Sequence, residues 1–140
     1  MKKIKSIAIC GSMMFAKEML EIKRELEAMD IKVNIQEDIE DFTEGKRTNE
    51  NKWRKIKLDP LKTYFEVIKN SDAILVVNMD KNRIKGYVGG NTLIEMAFAY
   101  VLNKKIFLLK KIPKMAYTDE IVIMKPVVLN SQLNKIKKAR

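Results

Sequence analysis

Glu95 is the only charged residue in the stretch 93–102, which is otherwise apolar nearly all round and reads as a helix buried on several sides. A carboxylate carried into such a setting is either well hydrogen-bonded or faces a cavity, because burying it alone costs several kcal/mol or forces it to take up a proton. Gly89, Gly90 and Asn91 stand just ahead of it. Paired glycines before a helix start let a ligand approach the backbone closely and leave NH groups to receive it. A plainer alternative stays open. Thr92-Leu93-Ile94-Glu95 has the form of a capping box, in which Thr92 caps the helix and Glu95 returns a bond to the Thr92 backbone NH, satisfying the carboxylate on its own.

A second candidate site is Gly11-Ser12, which ends the apolar run Ile7-Ala8-Ile9-Cys10. In open parallel sheets ligands bind outside the carboxyl ends of the strands where strand order reverses, and a turn after the first strand offers NH groups suited to a phosphate. Equally, Ser12 is a good N-cap in a simple turn, and neither the full Gly-x-Gly-x-x-Gly pattern nor a Walker loop is present.

Composition removes other chemistries. The chain has no histidine and a single cysteine, Cys10, which excludes a histidine triad, a histidine-ligated zinc site, a thiolate cage and a disulfide framework. No metal or cofactor is expected. The net charge of +10 favours anionic partners. Lysines are nevertheless spread along the chain and densest over 135–140, and there is no helix-turn-helix, finger or aromatic RNA-binding signature, so most of this charge reads as solvated surface. The apolar run from Ile4 to Cys10 is too short to cross a bilayer, and the Lys-Lys start is not followed by a signal-peptide core. The expected setting is cytoplasmic, without a membrane partner.

The elements that position these residues follow in order. The run ending at Cys10 reads as a buried parallel strand. Phe15, Met19, Ile22, Leu26 and Met29 then recur at helical spacing. A short strand is expected over 31–35, followed by a polar stretch, 36–58, with a lone Trp53. A structureless loop that long is either a lid over a site or a surface excursion. Asp59-Pro60 supplies an N-cap and a first-turn proline for a helix burying Leu61, Phe65 and Ile68. Asp72 opens a central strand over 73–77, and residues 78–88 form a polar connection. A helix is expected over 92–103, a strand over 106–109, a short helix near 119–124 and a last strand over 127–129. With 140 residues and no linker, this alternation predicts one domain, 1–140. Its fold class is α/β: a three-layer open parallel sheet, flavodoxin- or Rossmann-like, of about five strands with helices on both faces.

These segments, in this order, resemble the nucleoside 2-deoxyribosyltransferase family and its relatives, the deoxynucleoside monophosphate N-glycosidases. The likeness runs from Ile7-Ala8-Ile9-Cys10-Gly11-Ser12 through Asn70-Ser71-Asp72-Ala73-Ile74-Leu75-Val76-Val77 to Glu95-Met96-Ala97-Phe98-Ala99 and Lys104-Lys105-Ile106-Phe107. It implies that Glu95 is a nucleophile at the anomeric carbon of a nucleoside or nucleotide, forming a glycosyl-enzyme that water or a second base resolves. It further implies that Gly11, Ser12, Gly90 and Asn91 surround the sugar or its phosphate, and that the protein self-associates. The chain departs from the family at three helpers: Ala8 where a tyrosine is usual, Tyr64 where an aspartate works with the nucleophile, and Gly89 where a serine or aspartate touches the sugar or phosphate. Asp72 matches but reads as structural. Two other functions follow from the same residues: a non-catalytic nucleotide-binding module with Glu95 as a ribose-hydroxyl acceptor or a cap, and, less favoured, nucleic-acid binding through the basic surface.

Overall fold

The structure is a computed structural model in which residues 3–36, 39 and 59–138 are described. The 36–58 stretch with Trp53 lies outside the described residues apart from Gln36 and Ile39, as do tail residues 139 and 140. Five strands form one sheet in the order β2-β1-β3-β4-β5: β1 (Ser6–Cys10), β2 (Lys32–Asn34), β3 (Ala73–Val76), β4 (Lys105–Leu108) and β5 (Val127–Val128). Every pairing is parallel, and the register sets Cys10 beside Val76 and Val76 beside Leu108. This is the open three-layer α/β arrangement expected from the alternating pattern.

Parallel strands need crossover helices, and right-handed crossovers decide which face each helix covers. Moving from β1 out to β2, α1 (Ala16–Ala28) covers one face, together with the short C-terminal α5 (Lys135–Lys138). Moving back past β1 to β3 and onward, α2 (Pro60–Lys69), α3 (Gly90–Val101) and α4 (Thr118–Ile123) cover the other. Strand order therefore reverses at β1, between α1 and α3, which is where such sheets open a crevice at their carboxyl edge.

Alternation along each strand divides the core. Ile7, Ile9, Leu75 and Phe107 face α1, where Met19, Ile22 and Leu26 meet them. Ala8, Cys10, Ile74, Val76, Ile106 and Leu108 face the other helices, meeting Tyr64, Ile68, Met96, Ala99 and Ile121. Met19 and Leu26 are fully buried, and removing a side chain of that size from water contributes about 1.5–3 kcal/mol.

Several boundaries follow from caps. The Asp59 side chain accepts the Lys62 NH at 3.2 Å, and Pro60 opens α2, as its sequence predicts. The helix expected over 92–103 is α3, which starts two residues earlier because Gly89, in extended conformation, is its N-cap and accepts the Leu93 NH at 2.9 Å. It ends in a Schellman turn: Asn103 takes a left-handed φ of 58°, and the Lys104 NH reaches the Ala99 carbonyl at 2.8 Å. Asp30 closes α1 in the same way, with Ile31 NH on Leu26 O at 3.1 Å. Asp72 is structural, its carboxylate accepting the NH groups of Lys5 and Ser6 at 2.8 and 3.1 Å. That staple ties the starts of β1 and β3 at the edge opposite the candidate site.

Candidate functional site

The Gly89 N-cap makes Thr92 the third residue of α3 and Glu95 the sixth. Thr92 does not cap the helix, no side chain bonds the N-cap position, and Glu95 lies too far along to serve a capping box. The capping-box alternative therefore does not describe this helix start. Glu95 is 8% exposed, and it lies near Cys10, the buried thiol at the carboxyl end of β1. Burial pushes the Cys10 thiol well above its usual pKa, and the neighbouring Glu95 pushes it further.

Tyr64 is the third member of the cluster. It projects from α2 into the same half of the core, 3% exposed, and its hydroxyl donates to the Ile9 carbonyl, with the Asn34 carbonyl 3.5 Å away. Its pKa is raised, first by burial and then by the charges of Cys10 and Glu95. Three weak acids from three elements thus converge beside the reversal point of the sheet. Where the resembled family carries an aspartate near its nucleophile, this chain holds a phenol tied to the β1 backbone.

Gly11 and Ser12 follow directly. Gly11 has φ +152°, and a β-carbon there would stand 2.7 Å from Met19 Cε and 2.9 Å from the Val77 carbonyl, so close packing alone requires a glycine. Ser12 Oγ accepts the Met14 NH at 3.3 Å and caps the 3-10 turn Met13–Phe15. The same Oγ also receives the Lys81 ammonium at 3.3 Å. Lys81 Nζ lies in addition 5.3 Å from the Tyr87 ring centroid, and that ring borders Gly89. A line of contacts, Ser12 to Lys81 to Tyr87 to Gly89, therefore joins the turn after β1 to the start of α3. Gly90 has open space where a side chain would stand, and Asn91 is exposed.

The 78–88 connection that carries Lys81 and Tyr87 is firmly held. Buried Asn78 donates to the carbonyls of Gly86, Lys110 and Lys111 and accepts the Lys110 NH at 2.9 Å. Asp80 accepts the Gly86 NH at 3.0 Å, and Gly86 itself, at φ +70°, lies so near the Lys111 carbonyl that a β-carbon would come to 2.5 Å. Tyr117 donates its hydroxyl to Val88 O. Sequence reasoning passed over Lys81, Tyr87 and Cys10 as site residues. For Lys81 and Tyr87 the available signal was a cation and an aromatic in a connection at the carboxyl edge of the sheet; for Cys10 it was a thiol on the same strand face as the helix carrying Glu95.

Among the described residues no group of acids, cysteine or histidine is arranged to hold a metal ion, and no helix is long and apolar enough to cross a membrane. A groove of about 470 Å³ opens on the α1 side, lined by Glu25, Ala28, Met29, Gln132 and Leu133. It lies on the face opposite Glu95. Neither a scan against protein-family models nor a search of curated proteins finds a match to this chain.

Proposed function

We propose that the protein cleaves or transfers the N-glycosidic bond of a nucleoside or nucleotide, with Glu95 as nucleophile. The observation that carries this reading is a buried carboxylate beside the last residue of β1, at the point where strand order reverses. In the proposed step a Glu95 oxygen bonds to the anomeric carbon as the carbon–nitrogen bond breaks and its electron pair leaves with the base, which takes up a proton from solvent. Water or a second base then displaces Glu95 from the sugar. Ser12, Lys81 and the opening of α3 at Gly89, Gly90 and Asn91 form the polar side of the site, where a sugar hydroxyl or 5′-phosphate is received. Lys81 supplies positive charge there.

The test is a panel of deoxy- and ribonucleosides and their monophosphates, incubated with the protein and followed by chromatography for free base. Release from at least one member, lost in Glu95→Gln, supports the proposal; a panel left untouched refutes it. One observation favours a second reading, binding without turnover: Tyr64 stands where the helper aspartate is expected and has its proton on Ile9 O. Calorimetric nucleotide binding with no base released would establish that alternative. The self-association expected from the resemblance would use α3, where Ile94, Tyr100 and Val101 are exposed, and sedimentation equilibrium tests it.

A further inference from the structure

We propose that the hairpin 81–84, between β3 and α3, is a clamp for a chain of phosphates, so that the ligand of this site is a nucleoside di- or triphosphate. As a statement about substrate the inference rests on the N-glycosidic reading above; as a statement about binding it does not. Lys81 and Ile84 exchange both backbone bonds, Lys81 NH on Ile84 O at 3.1 Å and Ile84 NH on Lys81 O at 2.9 Å, which leaves Asn82 and Arg83 as a two-residue turn. Both have left-handed backbones, φ 53° and 62°, the pair of positive φ values that a type I′ turn requires. Asparagine suits the first place, whereas glycine is usual in the second because a β-carbon there is strained. The exposed tip of the hairpin thus holds an arginine against local strain, and strain of this kind concentrates at ligand clamps.

Charge says what the clamp holds. The connections 78–88 and 109–117 carry six cations, Lys81, Arg83, Lys85, Lys110, Lys111 and Lys114, against one acid, Asp80. Buried Asn78 ties the two connections together, and a β-carbon on Gly86 would stand 2.5 Å from the Lys111 carbonyl, so both belong to one rim at the carboxyl edge of the sheet. Asp80 does not neutralise that rim. Its Oδ1 accepts the Gly86 NH, and among the described residues none of Lys81, Arg83, Lys85 and Lys111 forms an ion pair. Lys110 turns instead to Ser131 Oγ at 2.6 Å. Lys81 meets a hydroxyl and a ring, Ser12 Oγ and Tyr87, on the path from the turn after β1 to the start of α3. A cation with neutral partners on a pinned backbone receives an anionic oxygen without rearrangement. One phosphate suffices for Lys81 and Ser12. Arg83 stands two residues on, within about 7 Å along the backbone, and its guanidinium takes two phosphate oxygens at once. Lys85 and Lys111 are exposed at the base of the same hairpin. Positive charge therefore continues outward from Lys81, and a chain of phosphates matches that series where a single phosphate uses only its first member.

Binding is read by calorimetry on the full-length protein, first with inorganic phosphate, pyrophosphate and tripolyphosphate, which have no glycosidic bond, then with nucleoside mono-, di- and triphosphates. Affinity should rise by about tenfold or more from one phosphate to three in both series. Lys81→Gln should weaken tripolyphosphate binding about tenfold and Arg83→Gly about as much, with the Arg83→Gly loss larger on a triphosphate than on a monophosphate. Because glycine relieves the left-handed turn, Arg83→Gly should melt no lower than wild type, which separates lost binding from lost folding. Lys137→Gln with Lys138→Gln, which removes charge from α5 on the opposite face, should bind as wild type does. Affinity that does not grow with phosphate number, or that falls as far in the α5 variant as in Arg83→Gly, overturns the proposal. So does a single-stranded oligonucleotide bound more tightly than every nucleoside triphosphate, which would assign the hairpin to nucleic acid. Should Lys81→Gln fail to fold, Arg83→Gly and the α5 variant still decide. If the phosphate series behaves as expected and no nucleotide releases its base, the glycosidic reading fails and the clamp stands. If base is released while binding ignores phosphate number, the clamp fails alone.

Discussion

On one face of the sheet, Ile7, Ile9, Leu75 and Phe107 meet α1 through side chains that hold no polar atom, whereas on the other the same strands carry Cys10 toward Glu95 and Tyr64. Both faces are equally dry at the strand level, so the difference is not one of burial. It lies in chemistry: the acids on the α3 side come from three elements, burial and their mutual influence raise the pKa values of Cys10 and Tyr64, and Tyr64 donates its proton to the Ile9 carbonyl. One face is thus an apolar contact with α1, and the other sets three buried ionisable groups near the carboxyl edge of the sheet.

Substitutions on the two faces should separate these duties. The largest effect is expected on the polar side: Glu95→Gln should reduce base release on the order of a thousandfold or more, with a melting temperature within a few degrees of wild type. A comparable loss of folding would instead make Glu95 structural. On the apolar side, Leu26→Ala should cost about 2–5 kcal/mol in a urea titration while leaving the activity of the folded fraction unchanged. Tyr64→Phe should cost about 1–3 kcal/mol, because it leaves the buried Ile9 carbonyl without its donor.

Smaller still is a pH effect with a defined sign. Cys10 and Tyr64 hold their protons in the folded state beyond their ordinary values of 9.0 and 10.0. Above those values the unfolded chain gives up protons that the native protein retains. Stability from these groups is thus fully present below pH 9 and falls with rising pH, by about 1.4 kcal/mol per pH unit for each group whose unfolded form has ionised. Cys10→Ser should remove the first part of that slope, and an unchanged slope would mean that the thiol ionises freely. Least of all, Gly90→Ala should stabilise α3 by up to about 1 kcal/mol, since a side chain there meets open space. If Gly90 lines the substrate, the same change raises KM.

Much of the architecture was readable in advance, and the reasons are local. The apolar runs over 7–10 and 73–77 read better as buried parallel strands than as helices, which β1 and β3 bear out, and Asp59-Pro60 announced α2. Helix ends were harder, because Asp30 and Asn103 close α1 and α3 in left-handed turns where glycine is the usual sign. The start of α3 was misplaced because Thr92 offered a side-chain cap and Gly89 capped with its backbone instead. At the site, Glu95 stood out as a lone charge in an apolar helix. Its neighbour Cys10 did not, because bringing that residue, 85 positions away, near Glu95 depends on strand parity and crossover handedness together. Lys81 was equally hidden: its approach to Ser12 depends on a connection shaped by buried Asn78.

The central claim is that the Glu95 carboxylate forms a bond to sugar carbon. It is tested most directly by incubating the protein with a nucleoside whose 2-position carries fluorine, which slows release of a glycosyl-enzyme, and mapping the adduct by mass spectrometry of peptides. The account predicts a mass increase of one fluorinated sugar on the peptide containing Glu95, absent in Glu95→Gln. Release of base with no adduct at Glu95, or an adduct on another residue, would contradict it.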